Sequence, residues 1–134
     1  MKVLLDTNVY SALRKGHASC VTLVRRATEV VLSSIVAGEL LHGFRRGDRY
    51  AANLALLERF LLNPNVSLAE VQLSTSHRFG EIAAQLSQAG TPIPTNDVWL
   101  AAQTFELGAT LVSFDQHFAR VDSLAWIDPG CLPT

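Results

Sequence analysis

The sequence predicts an α/β domain, with helices covering both faces of a central, mostly parallel sheet in a three-layer α/β/α arrangement. Three observations carry that expectation. Strand-like runs alternate with longer segments of helical periodicity, the order that builds βαβ units. The run Val3-Leu4-Leu5 is apolar without alternation, as in a strand buried on both faces. Hydrophobic residues make up 49% of the 134-residue chain and charged residues 17%, a balance that favours a compact core over disorder.

Five strand candidates follow in order: Lys2–Leu5, Val30–Ser33, Ser67–Val71, Thr110–Ser113 and Ala125–Ile127. Val21, Leu23, Val24 and Ala27 predict a packed helix before the second strand. Ile35, Val36, Leu40, Leu41 and Phe44 predict another, starting at Ser33-Ser34. Leu54, Leu57, Phe60 and Leu61 recur at steps of three and four, the amphipathic signature, until Asn63-Pro64 stops them. Phe79, Ile82, Ala83 and Leu86 mark a helix ended by Gly90. Thr95 is expected to cap a last one, running from Val98 to Leu107 and stopped by Gly108. The loop GTPIP at 90–94 is too short for a linker, so residues 1–134 are read as one domain, with no internal repeat.

The net charge of −1 rules out a basic coat, so contact with nucleic acid has to come from a local patch. Cys20 and Cys131 lack metal-ligand spacing, and a reduced intracellular pair is the simplest reading. The apolar run after Lys2 ends at Asp6, too short for a secretory leader, and no segment has the length to cross a bilayer. The expectation is a soluble, cytoplasmic protein.

Of the twelve acidic residues, eight fall where a solvated face or turn would put them. Asp6, Glu39, Asp97 and Asp115 do not. Asp6 leaves the first strand beside Thr7-Asn8. It either caps the next helix or holds a cation at the carboxyl edge of the sheet. Asp115 repeats that arrangement after the strand ending at Ser113. Asp97 lies in the first turn of a helix, where the dipole alone would favour it. Glu39 sits between Gly38 and Leu40, with Gly43 one turn on. Each glycine inside a helix costs about 1 kcal/mol relative to alanine. Two of them point either to something approaching the backbone or to tight helix packing. If the fourth strand pairs beside the first, right-handed crossovers bring all four acids to one edge. Two ionised carboxylates near 4 Å repel by roughly 4 kcal/mol at an effective dielectric of ~20. Several such pairs would consume a typical stability of about 5–15 kcal/mol unless protons or a divalent cation intervene. Oxygen ligands favour Mg²⁺ or Mn²⁺ over zinc, and the usual employment of such a centre is phosphoryl chemistry.

At these residues the chain resembles the PIN domain family, and more closely its VapC-type toxin ribonucleases. The matching segments are LLDTNVY at Leu4–Tyr10, SSIVAGELLHG at Ser33–Gly43, TNDVWLAAQTFELGATLVSFD at Thr95–Asp115, and His117-Phe118. They follow the family order over nearly the whole chain. The resemblance implies a five-stranded parallel sheet and Mg²⁺- or Mn²⁺-dependent cleavage of single-stranded RNA regions, leaving a 5′ phosphate and a 3′ hydroxyl. It makes Asp6, Glu39, Asp97 and Asp115 the metal-binding acids, supported by Asn8 and Ser113 through hydrogen bonds to the carboxylates or to substrate. It further implies a homodimer inhibited by a VapB-like antitoxin. Ser113 stands where threonine is commoner in the family, a mild change.

Arg45 and Arg46, with Arg49, Arg14 and Lys15, either hold RNA phosphates flanking the scissile one or complement helix dipoles; RNA is the favoured role for Arg45 or Arg46. His42 is expected as a partly buried polar residue, and Trp99 and Phe114 as core rather than base-stacking platforms. Two other phosphate chemistries fit worse. A receiver domain needs an adjacent acidic pair after the first strand and a lysine after the last, whereas the only lysines are Lys2 and Lys15. A haloacid-dehalogenase-type phosphatase needs aspartate where Asn8 stands. The remaining alternative is a catalytically silent module that keeps the fold for binding or dimerisation.

Overall fold

The computed structural model describes residues 1–132. Its strands are β1 (Lys2–Leu5), β2 (Glu29–Ser33), β3 (Val66–Ala69), β4 (Thr110–Val112) and β5 (Trp126–Ile127). All pair in parallel, in the order β3-β2-β1-β4-β5, so the sheet expected to be mostly parallel is parallel throughout. Helices α1 (Thr7–Arg14) and α2 (Ala18–Arg26) connect β1 to β2. Helices α3 (Ser34–Arg46) and α4 (Tyr50–Leu62) lead to β3, and α5 (Leu73–Gln88) and α6 (Thr95–Leu107) return to β4. Short 3₁₀ turns at Gln116–Arg120 and Pro129–Cys131 flank β5.

The layering follows from handedness. The chain steps outward from β1 through β2 to β3, then crosses back over the sheet to β4 on the other side of β1. Right-handed crossovers therefore put α1–α4 on one face and α5–α6 on the other. Val3, Leu4 and Leu5 point alternately to the two faces, and each is fully buried. One cluster packs Val9, Tyr10, Val36, Leu40, Leu57 and Phe60 against the sheet. A second joins Ile82 and Leu86 to Val98, Ala101 and Ala102. Leu111 is fully buried in β4, which pairs with β1 on one side and β5 on the other. Leu111→Ala is expected to cost about 2–5 kcal/mol, read as a lower urea midpoint, because the rigid neighbours cannot collapse into the gap.

Three local readings change. The third strand runs from Val66 to Ala69 rather than 67–71; it is an edge strand whose Ser67 and Leu68 are exposed, so no apolar run marks it. Helix α1 was not among the expected helices. Pro94, not Thr95, occupies the N-cap of α6, with no side chain capping it. Gly108 closes α6 at φ 60°, a left-handed conformation that glycine adopts without strain. Among the described residues no helix is long and apolar enough to cross a membrane.

Candidate active site

Strand order reverses between β1 and β4, and the C-terminal edge of the sheet opens there. The Asp6 N–H donates to the Val112 carbonyl at 3.0 Å, extending the β1–β4 pairing by one residue and setting Asp6 beside Ser113. The Asp6 side chain is held from both ends. Oδ1 accepts the Thr7 N–H at 2.8 Å, capping α1, and Oδ2 accepts the Ser113 hydroxyl at 2.6 Å. Ser113 Oγ in turn accepts the Asp115 N–H at 2.9 Å. Of the two readings weighed for Asp6, the helix cap is realised, and the same carboxylate stands at the carboxyl edge of the sheet where the cation reading needs it.

Glu39 reaches the same edge from α3, whose start is fixed by Ser33 accepting the Ile35 N–H at 3.0 Å. The Thr7 hydroxyl donates to Glu39 Oε1 at 2.8 Å and ties α3 to α1. A Cβ added at Gly38 or Gly43 would meet nothing within 4 Å, so tight helix packing does not explain either glycine. Gly38 instead lies on the wall of an open hollow of about 370 Å³, lined also by Ser34, Ile35, Glu39, His42 and Asn96. His42 is exposed, not partly buried as expected.

Asp97 enters from the first turn of α6 and Asp115 from the turn after β4. Asp115 Oδ1 accepts the His117 N–H at 3.0 Å, and this cap folds His117 back onto the acids. His117 Nδ1 lies 2.9 Å from Asp115 Oδ1 and 3.5 Å from Asp97 Oδ2. Its ring direction aligns a hydrogen bond with neither oxygen, and the buried Nδ1 has no partner. Despite the short separations, neither contact is a formed hydrogen bond.

Burial raises the Asp6 carboxyl above its ordinary value; the Ser113 hydroxyl and Thr7 N–H pull it back, while Glu39 and Asp115 push it further up. Asp97 is pushed up to about 6, first by burial, then by the charges of Asp6 and Asp115, against the opposing pull of His117. The four acids expected to converge therefore sense one another in a single cleft. Crowded oxygen donors, two of them with carboxyls pushed up by burial and by one another's charge, stand next to an orphaned imidazole nitrogen and fit a divalent cation of the hard type. Of the described side chains, Asp97, Asp115 and His117 bring donor atoms within 4.8 Å of one another, with Asp6 and Glu39 beside them in the same cleft.

Other expected site residues stand differently. Asn8 is exposed and, among the described residues, donates to none of the acids, which leaves contact with substrate as its expected role; Thr7 makes the hydrogen bond to a carboxylate. Arg45 lies in the last turn of α3 and stacks on Tyr50, with its guanidinium carbon 4.3 Å from the ring centroid and a 3.1 Å hydrogen bond to the hydroxyl. Arg46 is exposed, and seven residues on from Glu39 it shares that residue's helix face, about 10 Å along the axis. Trp99 packs on Phe79 at 4.1 Å between ring centroids, and Phe114 meets His17 edge-on, in line with their expected packing roles. His117 appeared only as part of a motif, and its signal was the position two residues beyond a capping aspartate.

The PIN domain family model matches residues 3–124. Ribonuclease VapC2 of Haemophilus influenzae is 32% identical over 127 residues, covering 92% of this chain and 95% of its own. The tRNA(fMet)-specific endonuclease VapC of Shigella flexneri is 24% identical over the same shares. Among solved structures, VapBC2 from Rickettsia felis, bound to a promoter DNA fragment, superposes with a TM-score of 0.82 at 26% identity, covering 95% of this chain and 98% of that one. VapBC-1 of Haemophilus influenzae shares the fold at a TM-score of 0.84 and 24% identity, covering 97% and 99%. With the family match spanning nearly the whole chain and the acids meeting at the reversal of strand order, this protein belongs to the PIN domain family, whose nucleases use divalent metal.

Proposed function

We propose that this protein is a VapC-type endoribonuclease, cutting RNA phosphodiester bonds with Mg²⁺ or Mn²⁺ as the toxin of a toxin–antitoxin pair. The observation that carries the reading is the meeting of Asp6, Glu39, Asp97 and Asp115 at one sheet edge. When bound, the cation supplies Lewis acidity and neutralises charge on the scissile phosphate. The chain's own residues do the rest. Ser113 and the Thr7 N–H fix the Asp6 carboxylate, and the Thr7 hydroxyl aims Glu39. Arg46 is the better candidate for a flanking phosphate, since Arg45 is engaged by Tyr50. The Asn8 side chain is free to face substrate.

A cytoplasmic homodimer held in check by a VapB-like antitoxin belongs to the same proposal, supported by relatives solved as VapBC complexes. The protein should cleave a fluorogenic single-stranded RNA when Mg²⁺ or Mn²⁺ is added, and EDTA should abolish the signal. Cleavage that survives EDTA, or none with either ion across a set of RNA sequences, overturns the reading.

A further inference from the structure

We propose that His117 is a nitrogen ligand of the cleft's cation, alongside Asp97 and Asp115, and that it tilts the site from Mg²⁺ toward a first-row transition ion such as Mn²⁺. The proposal rests on the metal-dependent reading of the cleft and adds a donor the four acids do not provide.

The distances suit adjacent ligands of one ion. An octahedral cation with bonds of about 2.1 Å sets neighbouring donors about 3 Å apart and opposite ones about 4.2 Å apart. Nδ1 lies 2.9 Å from Asp115 Oδ1 and 3.5 Å from Asp97 Oδ2. Donor atoms of all three side chains fall within 4.8 Å of one another. The alternative employment of Nδ1, as a hydrogen-bond donor bridging the two carboxylates, is not realised, because the nitrogen is buried and aligned with neither oxygen. A neutral imidazole with its proton on Nε2 presents a lone pair at Nδ1, and the side chain as a whole is 39% exposed.

The placement is built into the backbone. Asp115 accepts the His117 N–H at 3.0 Å, and Ser113 fixes the Asp115 N–H at 2.9 Å, so the turn that aims one ligand aims the other. Mg²⁺ takes oxygen ligands and dehydrates reluctantly, whereas first-row ions accept imidazole increasingly along the series that begins with Mn²⁺, so a ring nitrogen favours Mn²⁺ over Mg²⁺ and later ions more strongly still.

Pulsed EPR of Mn²⁺ bound to the full-length protein tests this directly. The wild type should show ¹⁴N coupling from a coordinated imidazole, and His117→Gln, which offers oxygen instead, should bind Mn²⁺ without it. In competition titrations Mn²⁺ affinity should fall about ten-fold or more in His117→Gln and His117→Ala, and the preference over Mg²⁺ should fall with it. Mn²⁺ bound without nitrogen coupling, or an unchanged preference in both variants, overturns the proposal while RNA cleavage by the wild type leaves the nuclease reading standing. Failure of the wild type both to bind Mn²⁺ and to cleave RNA overturns the two together.

Discussion

Asp6→Asn lowers kcat/KM for RNA cleavage by about 100-fold or more, a loss of roughly 3 kcal/mol of transition-state stabilisation, and leaves the protein folded. The substitution removes a charge from the most buried of the four acids, only 6% exposed, while keeping its shape. The hydrogen bonds around it tolerate the change. The amide oxygen of asparagine can take the Thr7 N–H, now received at 2.8 Å by Oδ1. The amide N–H₂ then faces Ser113 Oγ, which already accepts the Asp115 N–H and has a second lone pair. Only the Ser113 hydroxyl proton loses its acceptor. Cation affinity, by contrast, falls directly, because an amide is a weaker ligand than a carboxylate for a hard ion. Denaturation without metal should place the variant at or above the wild type, and a Mn²⁺ titration should show weaker binding. Cleavage within a factor of a few of the wild type, at saturating metal, would remove Asp6 from the reaction.

What the sequence made legible tracks how strongly each feature was constrained. β1, β2 and β4 sit inside the sheet, and their unbroken apolar runs announced them. β3 lies at the edge with Leu68 46% exposed, so its side chains carry no such pattern and its bounds shifted. Helix α1 buries only Val9 and Tyr10, too few positions to show a period, so only the cap reading of Asp6 pointed to a helix starting at Thr7. Its first turn also divides the roles of Thr7 and Asn8: one helical step, about 100°, sends the Thr7 hydroxyl toward Glu39 and leaves Asn8 in solvent. Three acids were readable because strand exits and a helix start are marked in sequence. Glu39 was flagged by its glycines, and open space beside Gly38 replaces the packing explanation. His117 was not assigned a role, because its approach to Asp97 depends on how the turn after β4 meets α6, a contact of tertiary origin.

Asp97→Asn stabilises the metal-free protein at neutral pH even as it disables the site. The folded carboxyl titrates near 6 and the unfolded one near 3.8, so the native state binds more protons between those values. Stability therefore falls as pH rises from about 4 through 6, and stays reduced above. A shift of about two units corresponds to about 3 kcal/mol at 1.36 kcal/mol per unit, and the side chain is 15% exposed, too little for water to screen most of it. Asparagine removes that penalty but also the favourable charge at the N-terminus of α6, about 0.3–1 kcal/mol. A net gain of about 2 kcal/mol remains, or a Tm higher by roughly 5–10 °C at pH 7.5 in EDTA. The difference from wild type should shrink at pH 4, where Asp97 is protonated in the folded wild type. It should shrink again at pH 7.5 when Mn²⁺ is added, because the wild type gains binding energy that the variant largely lacks. A variant less stable than wild type in EDTA at pH 7.5, or one with the same pH slope, would mean that Asp97 is not held ionised against its neighbours, and with it the case for a cation at this edge would weaken.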